Sequence, residues 1–157
     1  MLLYINDPKG VYALKVSTKG RYALRMLLDL AEHKNDGYIP LKEIATRQNI
    51  SKQYLEQIVS LLNTANILRA NRGKQGGYML AKEPSAFTVA QILRITEGNL
   101  APVACLENET NECDRAKYCA TIPMWEGLNK VITDYLDGIT LQDMLDQCLK
   151  QNANYMI

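Results

Sequence analysis

Apolar positions recur at helical spacing over residues 18–33, TKGRYALRMLLDLAEH, where Tyr22, Ala23, Met26, Leu27, Leu30 and Ala31 share one face. KNDGY then breaks the pattern with a turn signal. A short helix follows around 41–48, with Leu41, Ile44 and Ala45 facing inward. After QNIS, Ser51 is placed to cap a third helix. That helix buries Leu55, Ile58, Val59 and Leu62 and leaves Lys52, Gln53, Glu56, Gln57, Ser60 and Asn63 outside. NILRANRGKQGGYMLA has no helical period and reads as strand 67–70, a glycine-rich tip and strand 78–81. In FTVAQILRITEG, Thr88 and Gln91 form a capping box and Gly98 is the stop. Further on, Met124, Trp125, Leu128, Val131, Ile132, Tyr135 and Leu136 lay a broad apolar stripe, with Pro123 in the tolerant first turn. DGIT ends that helix, and TLQDMLDQCLK forms a short last one, capped by Thr140 with Asp143 completing the box.

Two short helices around a tight polar turn, followed by a ribbon with a basic tip, predict a mainly α winged helix-turn-helix fold with a two-stranded β wing. The third helix presents amide, small polar and charged side chains of the kind that reach base edges in a major groove. The same surface would also serve as a plain solvated helix face. In the wing, glycines let backbone approach phosphate, and an arginine at the tip can enter a minor groove. A nucleotide-binding loop does not fit, because GKQGGY is neither G-x-G-x-x-G nor a Walker loop and no helix follows directly. The stripe over 123–137 is long for the chain left to cover it. It pairs either with its twin in a homodimer or with the winged domain of its own chain.

Charge sharpens the picture. The 157 residues suffice for one domain with a core, or a small domain with an appendage. At 47% hydrophobic and 22% charged they fit a soluble globular protein. No apolar run approaches membrane-span length, and MLLYINDPKG does not read as a signal peptide, so the expected location is cytoplasmic, with no membrane partner. Residues 15–82 hold twelve Lys/Arg against five Asp/Glu, a net +7, whereas 83–157 hold five against eleven, a net −6. A basic half joined to an acidic half points to a polyanion-binding module with a sensing or pairing module attached. Chance asymmetry of two solvated surfaces is the plainer alternative.

The blocks STKGRYALRMLLDLA (17–31), SKQYLEQIVSLLNTANIL (51–68), NRGKQGGYML (71–80), EG (97–98) and GITLQDM (138–144) resemble the IscR/CymR/NsrR family of bacterial winged-helix regulators. The resemblance runs from about residue 15 to 145, and residues 1–14 have no counterpart in it. It implies a non-enzymatic repressor of double-stranded palindromic operator DNA, acting as a homodimer through residues 123–137. The implied layout is an extension (1–14), a winged-helix domain (15–82), a connecting helix (83–98), a cysteine loop (99–121), dimerisation and C-terminal helices (122–148) and a tail (149–157). Glu56, in YLEQ, matches a glutamate that accepts from a cytosine amino group in IscR-like proteins, and Arg72 matches the wing arginine. The candidate DNA contacts are Lys19, Arg21, Ser51, Lys52, Gln53, Tyr54, Glu56, Gln57, Arg72 and Lys74.

Between the fourth helix and the stripe lies ACLENETNECDRAKYCATIPMW, with Cys105, Cys113 and Cys119 spaced C-x7-C-x5-C. In a reducing compartment such thiols are ligands, reactive groups or buried apolar residues rather than disulfides. Family members that bind an iron–sulfur cluster carry three cysteines in this loop, at roughly C-x5-C-x5-C, so the first gap here is longer. The resemblance implies a [2Fe-2S] cluster on Cys105, Cys113 and Cys119, lost from protein handled in air, and control of iron–sulfur or sulfur-metabolism genes. The family's fourth ligands have no match: the positions hold Ile122 and Arg21. Cys148 lies in line with Leu141, Met144 and Leu145, and the expectation is a buried structural thiol. His33, the one histidine, is expected at the surface. Zinc would want a fourth ligand in a fixed frame. A thiol switch needs only two close cysteines. A CymR-like regulator answering to a partner enzyme of cysteine synthesis generally lacks this cysteine set. No acid, base and nucleophile are arranged for an enzyme.

Overall fold

Ser17 opens the first helix as its N-cap, its hydroxyl accepting from Gly20 N at 3.3 Å. The computed structural model describes residues 16–73 and 76–154. Its helices are α1 (Thr18–Glu32), α2 (Leu41–Gln48), α3 (Lys52–Thr64), α4 (Val89–Glu97), α5 (Ile122–Asp137) and α6 (Leu141–Asn154). Strands β1 (Leu68–Asn71) and β2 (Gly77–Leu80) pair antiparallel, with Leu68 opposite Leu80 and Asn71 opposite Gly77. The strands sit one residue away from their predicted bounds, and α6 runs four residues past the predicted end into the expected tail. The predicted extension, 1–14, lies outside the described residues.

The predicted caps also place their helices. Ser51 accepts from Tyr54 N at 3.2 Å, and Thr88 from Gln91 N at 3.1 Å, the first half of the predicted box. At Thr140 both halves close: Asp143 N donates to Oγ1 at 3.1 Å and Thr140 N to Asp143 Oδ2 at 2.9 Å. Between α2 and α3, Asn49 takes the left-handed conformation, φ 52°, which turns the chain inside two residues.

The core gathers Met26, Leu27 and Leu30 of α1, Ile44 of α2, Leu55, Ile58 and Leu62 of α3, and Ile67 and Leu68 at the wing. It does not stop at the wing: Phe87, Ile92 and Leu141 belong to the same cluster. Gly20 lets α4 approach α1, since a Cβ there would stand 2.4 Å from Glu97 Oε1 and 3.1 Å from Leu93 Cδ2. The wing is braced from beneath by Ile39, whose N–H and C=O both pair with Tyr78 at 2.9 Å. A Cβ on Gly77 would fall 2.4 Å from the Ile39 carbonyl carbon and oxygen. The glycines of the tip were expected to make room for phosphate; at Gly77 the bare backbone is required by this internal contact. Gly73 takes φ 119°, a conformation that glycine alone adopts readily.

A charged group is sunk in this core. Asp29 of α1 is 1% exposed at its side chain and takes three bonds from Arg47: Nε to Oδ2 at 3.0 Å, Nε to Oδ1 at 3.2 Å and Nη2 to Oδ1 at 2.6 Å. Gln48 Nε2 adds a fourth at 2.9 Å. His33, expected at the surface, is 30% exposed at its side chain, with Nδ1 2.8 Å from the Asp29 carbonyl and 3.9 Å from Oδ1. The cluster ties the end of α2 to the last turn of α1.

Candidate nucleic-acid interface

Capping and burial decide which way α3 faces. With Leu55, Ile58, Val59 and Leu62 turned in, Lys52, Gln53, Glu56, Gln57 and Ser60 are exposed as predicted. Lys52 Nζ stands 3.2 Å from Glu56 Oε1, one helical turn away. A groove runs from α3 to the wing, and Glu56, Ser60, Asn63, Asn71, Arg72 and Tyr78 line it. Glu56 and Arg72, from separate elements, are thus brought to one depression. Lys74 lies outside the described residues.

The remaining candidates flank the start of α3. Arg21 is exposed and donates to Thr18 Oγ1 at 3.1 Å, and Lys19 is half-buried beside it. Ser51 is exposed, with its hydroxyl engaged as the cap. Tyr54 is half-buried, its ring set edge-on to Tyr22 at 5.5 Å, so packing occupies much of its surface. Arg25 was not among the candidates. It is exposed, lies 5.3 Å over the Tyr22 ring, and donates to Gln48 Oε1 at 3.3 Å and to the Gln48 carbonyl at the end of α2. Its place one turn after Arg21 on the same helix was the available signal. Arg25 closes the negative end of the α2 dipole and adds a cation beside the turn.

Charge is held in place by neighbours. Burial pushes the Asp29 carboxyl up, but the Arg47 and Gln48 hydrogen bonds outweigh it and leave the group below the usual carboxylate range. The Arg94 guanidinium holds Asp137 low in the same way, binding Oδ1 at 3.0 Å and Oδ2 at 2.9 Å.

The cysteine loop follows α4. Asn99 Nδ2 donates to the Glu107 carbonyl at 2.7 Å, and Cys113 N to Asn111 Oδ1 at 3.0 Å, so the loop bonds chiefly to itself. Cys105 and Cys119 are half-buried and Cys113 is exposed. Among the described residues no three His, Cys, Asp or Glu side chains are grouped to hold a metal. The Cys119 thiol lies 3.4 Å from Thr121 Oγ1, and this hydrogen bond, helped by the Arg115 charge, draws it below the ordinary thiol range. Cys148, expected to be buried, is exposed. The core under α6 contains Leu141 and reaches only as far as Leu145, one turn earlier.

The sequence model of the Rrf2 family, described as iron-dependent transcriptional regulators, matches residues 16–147. The chain belongs to the Rrf2 family. It is 37% identical over 143 residues to the transcriptional regulator CymR of Bacillus subtilis, covering 91% of this chain and 98% of that one. It is 35% identical over 145 residues to the transcriptional regulator IscR of Yersinia pestis, covering 88% and 87%. The solved structure of T. potens IscR superposes with a TM-score of 0.68 at 39% identity, covering 90% of this chain and 91% of that one. Rrf2 membership makes the protein a DNA-binding transcriptional regulator with a winged helix, and not an enzyme. No helix among the described residues is long and apolar enough to cross a membrane.

Proposed function

We propose that this Rrf2 protein is a cytoplasmic, homodimeric repressor whose affinity for a palindromic operator is tuned by a [2Fe-2S] cluster on Cys105, Cys113 and Cys119. The observation that carries the DNA half is the groove shared by Glu56 and Arg72. A carboxylate on α3 can accept from a cytosine amino group, while the wing arginine reaches into the neighbouring minor groove. Lys52 at 3.2 Å offsets the repulsion between Glu56 and phosphate. Lys19, Arg21, Gln53 and Gln57 complete the reading surface, and the +7 charge of 15–82 supplies the attraction. Pairing through α5 is supported by its exposed apolar side chains: Met124, Val131 and Tyr135 are 54%, 65% and 67% exposed in the single chain.

The cluster half rests on the donor set and on the family's iron dependence. Thiolates are the ligands iron–sulfur cores take, and Cys119 is already drawn toward thiolate. Glu107, Glu109, Glu112 and Asp114 lie among the cysteines, and a bound metal would supply the stabilisation that thiolate ligands need. A bound cluster would give the loop a fixed inorganic core. The residues then hold the core and order the chain that leads into α5. Genes for iron–sulfur or sulfur metabolism are the fitting targets.

Anaerobic reconstitution tests this. Wild-type protein gains visible absorbance with stoichiometric iron and sulfide; Cys105→Ala, Cys113→Ala and Cys119→Ala each lose it, and Cys148→Ala keeps it. Protein that holds no iron, or holds it equally well without Cys113, refutes the cluster. A second reading is then favoured by the 37% identity to CymR and by thiols that are not grouped. It is a cluster-free regulator of cysteine metabolism that responds through thiol oxidation or a partner enzyme. In either case operator affinity falls with salt, with a log–log slope of about 0.9 per phosphate neutralised.

A further inference from the structure

Polar bonds join the winged domain to the end of α5. Val89 N donates to the Ile139 carbonyl at 2.8 Å and Leu141 N to the Phe87 carbonyl at 3.0 Å, so the chain around Thr88 and Thr140 forms a short antiparallel bridge. Beside it, Arg94 of α4 grips both oxygens of Asp137, the last residue of α5, with parallel bonds of 3.0 and 2.9 Å. No residue of α5 is buried in the single chain and none belongs to the core cluster, although Leu128, Ile132 and Leu136 are half-buried. A guanidinium–carboxylate fork fixes a direction, because two parallel bonds define a plane. The two side chains are 44% and 42% exposed, and a surface pair of this kind adds little to global stability. Its effect is orientational.

Orientation matters once two α5 helices pair across a dimer. The winged domains then ride on the far ends of the paired helices, and two-fold-related reading heads accept half-sites at a fixed separation. A tilt of about 10° at the joint moves the other end of a 16-residue helix by about 4 Å, more than the ~3.4 Å rise of one base-pair step. We propose that Arg94 and Asp137 are positioning residues that set the half-site spacing the dimer accepts. The inference rests on the α5 dimer and palindromic operator proposed above.

The test uses the full chain and duplexes built from half-sites selected from random DNA by the wild type. Their separation is changed one base pair at a time and affinity is read by anisotropy. Wild type shows one optimum and binds about tenfold more weakly one step away. Arg94→Ala and Asp137→Ala bind an isolated half-site like wild type, yet differ by no more than about threefold across spacings. The double reversal Arg94→Asp/Asp137→Arg regains a sharp optimum. Arg94→Lys keeps the charge without the fork and gives an intermediate profile. A sharp optimum retained by both alanine variants overturns the spacing role alone, as does a double reversal as flat as the single variants. A wild type that binds every spacing alike overturns the dimer reading and the spacing role with it.

Discussion

Replacing Arg47 with methionine would strip three hydrogen bonds from a carboxylate that is 1% exposed. Leaving one partner of a buried ion pair behind costs roughly 3–5 kcal/mol, because the remaining charge has lost water without compensation. Two features reduce that figure here. Arg47 is itself 32% exposed, so water can enter behind the shorter side chain, and Gln48 keeps its 2.9 Å bond to Asp29. We therefore expect a loss of about 2–3 kcal/mol. With a urea m-value of about 2 kcal/mol/M, the midpoint falls by about 1–1.5 M at unchanged m. Far-UV circular dichroism at fixed protein concentration reads it, concentration being held because association adds to apparent stability.

The partner variant separates charge from packing. Asp29→Leu/Arg47→Met removes both charges and fills the space with apolar groups, so its loss should stay below about 1 kcal/mol. Less than about 0.5 kcal/mol lost by Arg47→Met would refute the reasoning. So would a double variant as unstable as the single one, since shape rather than an orphaned charge would then be the cause.

Acid should reveal the same carboxylate. Its folded pKa lies below the usual ~3.9, so the advantage of wild type over Asp29→Asn is full above about pH 4 and fades as pH falls through the folded value; a pH-independent difference in urea midpoints would contradict this. Gly77→Ala must displace the Ile39 backbone, at a cost of about 2 kcal/mol and roughly 4–8 °C in Tm, read by calorimetry. Glu56→Ala should relax discrimination at one base position and leave non-specific binding equal or slightly stronger; uniform loss over a set of operator variants would remove Glu56 from base reading.

The helix-turn-helix and wing were legible because their signals are local. Period marks α1 to α4, with caps read at α3 and α4, and the change from a helical period to the ribbon marks β1 and β2. The Asp29–Arg47 pair was not legible, since its partners stand 18 residues apart. The trace it leaves is an acid inside the apolar stripe between Met26 and Leu30. Cys148 continues the stripe of Leu141, Met144 and Leu145, but periodicity does not say where the surface beneath a helix ends. Gly77 looked like part of a phosphate-binding tip, because the Ile39 backbone that excludes a side chain arrives from a distant segment. At the candidate site, Glu56 and Arg72 were each legible; the groove that joins them depends on tertiary packing.

Relatives named CymR and IscR share this frame at 37% and 35% identity, so the frame carries the common task of holding DNA. Whatever distinguishes the inputs acts on that frame from outside the core. The loop after α4 is the natural place, since it bonds chiefly to itself and leads directly into α5. A change there reaches α3 only through elements bonded to both sides. α4 is one: Arg94 holds the end of α5, while Glu97, one turn on, accepts from the Ser17 hydroxyl at 2.8 Å at the head of α1. The first turn of α6 is the other, with Leu141 in the core. Both meet at the short stretch Asp137 to Leu141. On the dimer reading proposed above, a rotation of α5 would reach the α3 face through that stretch.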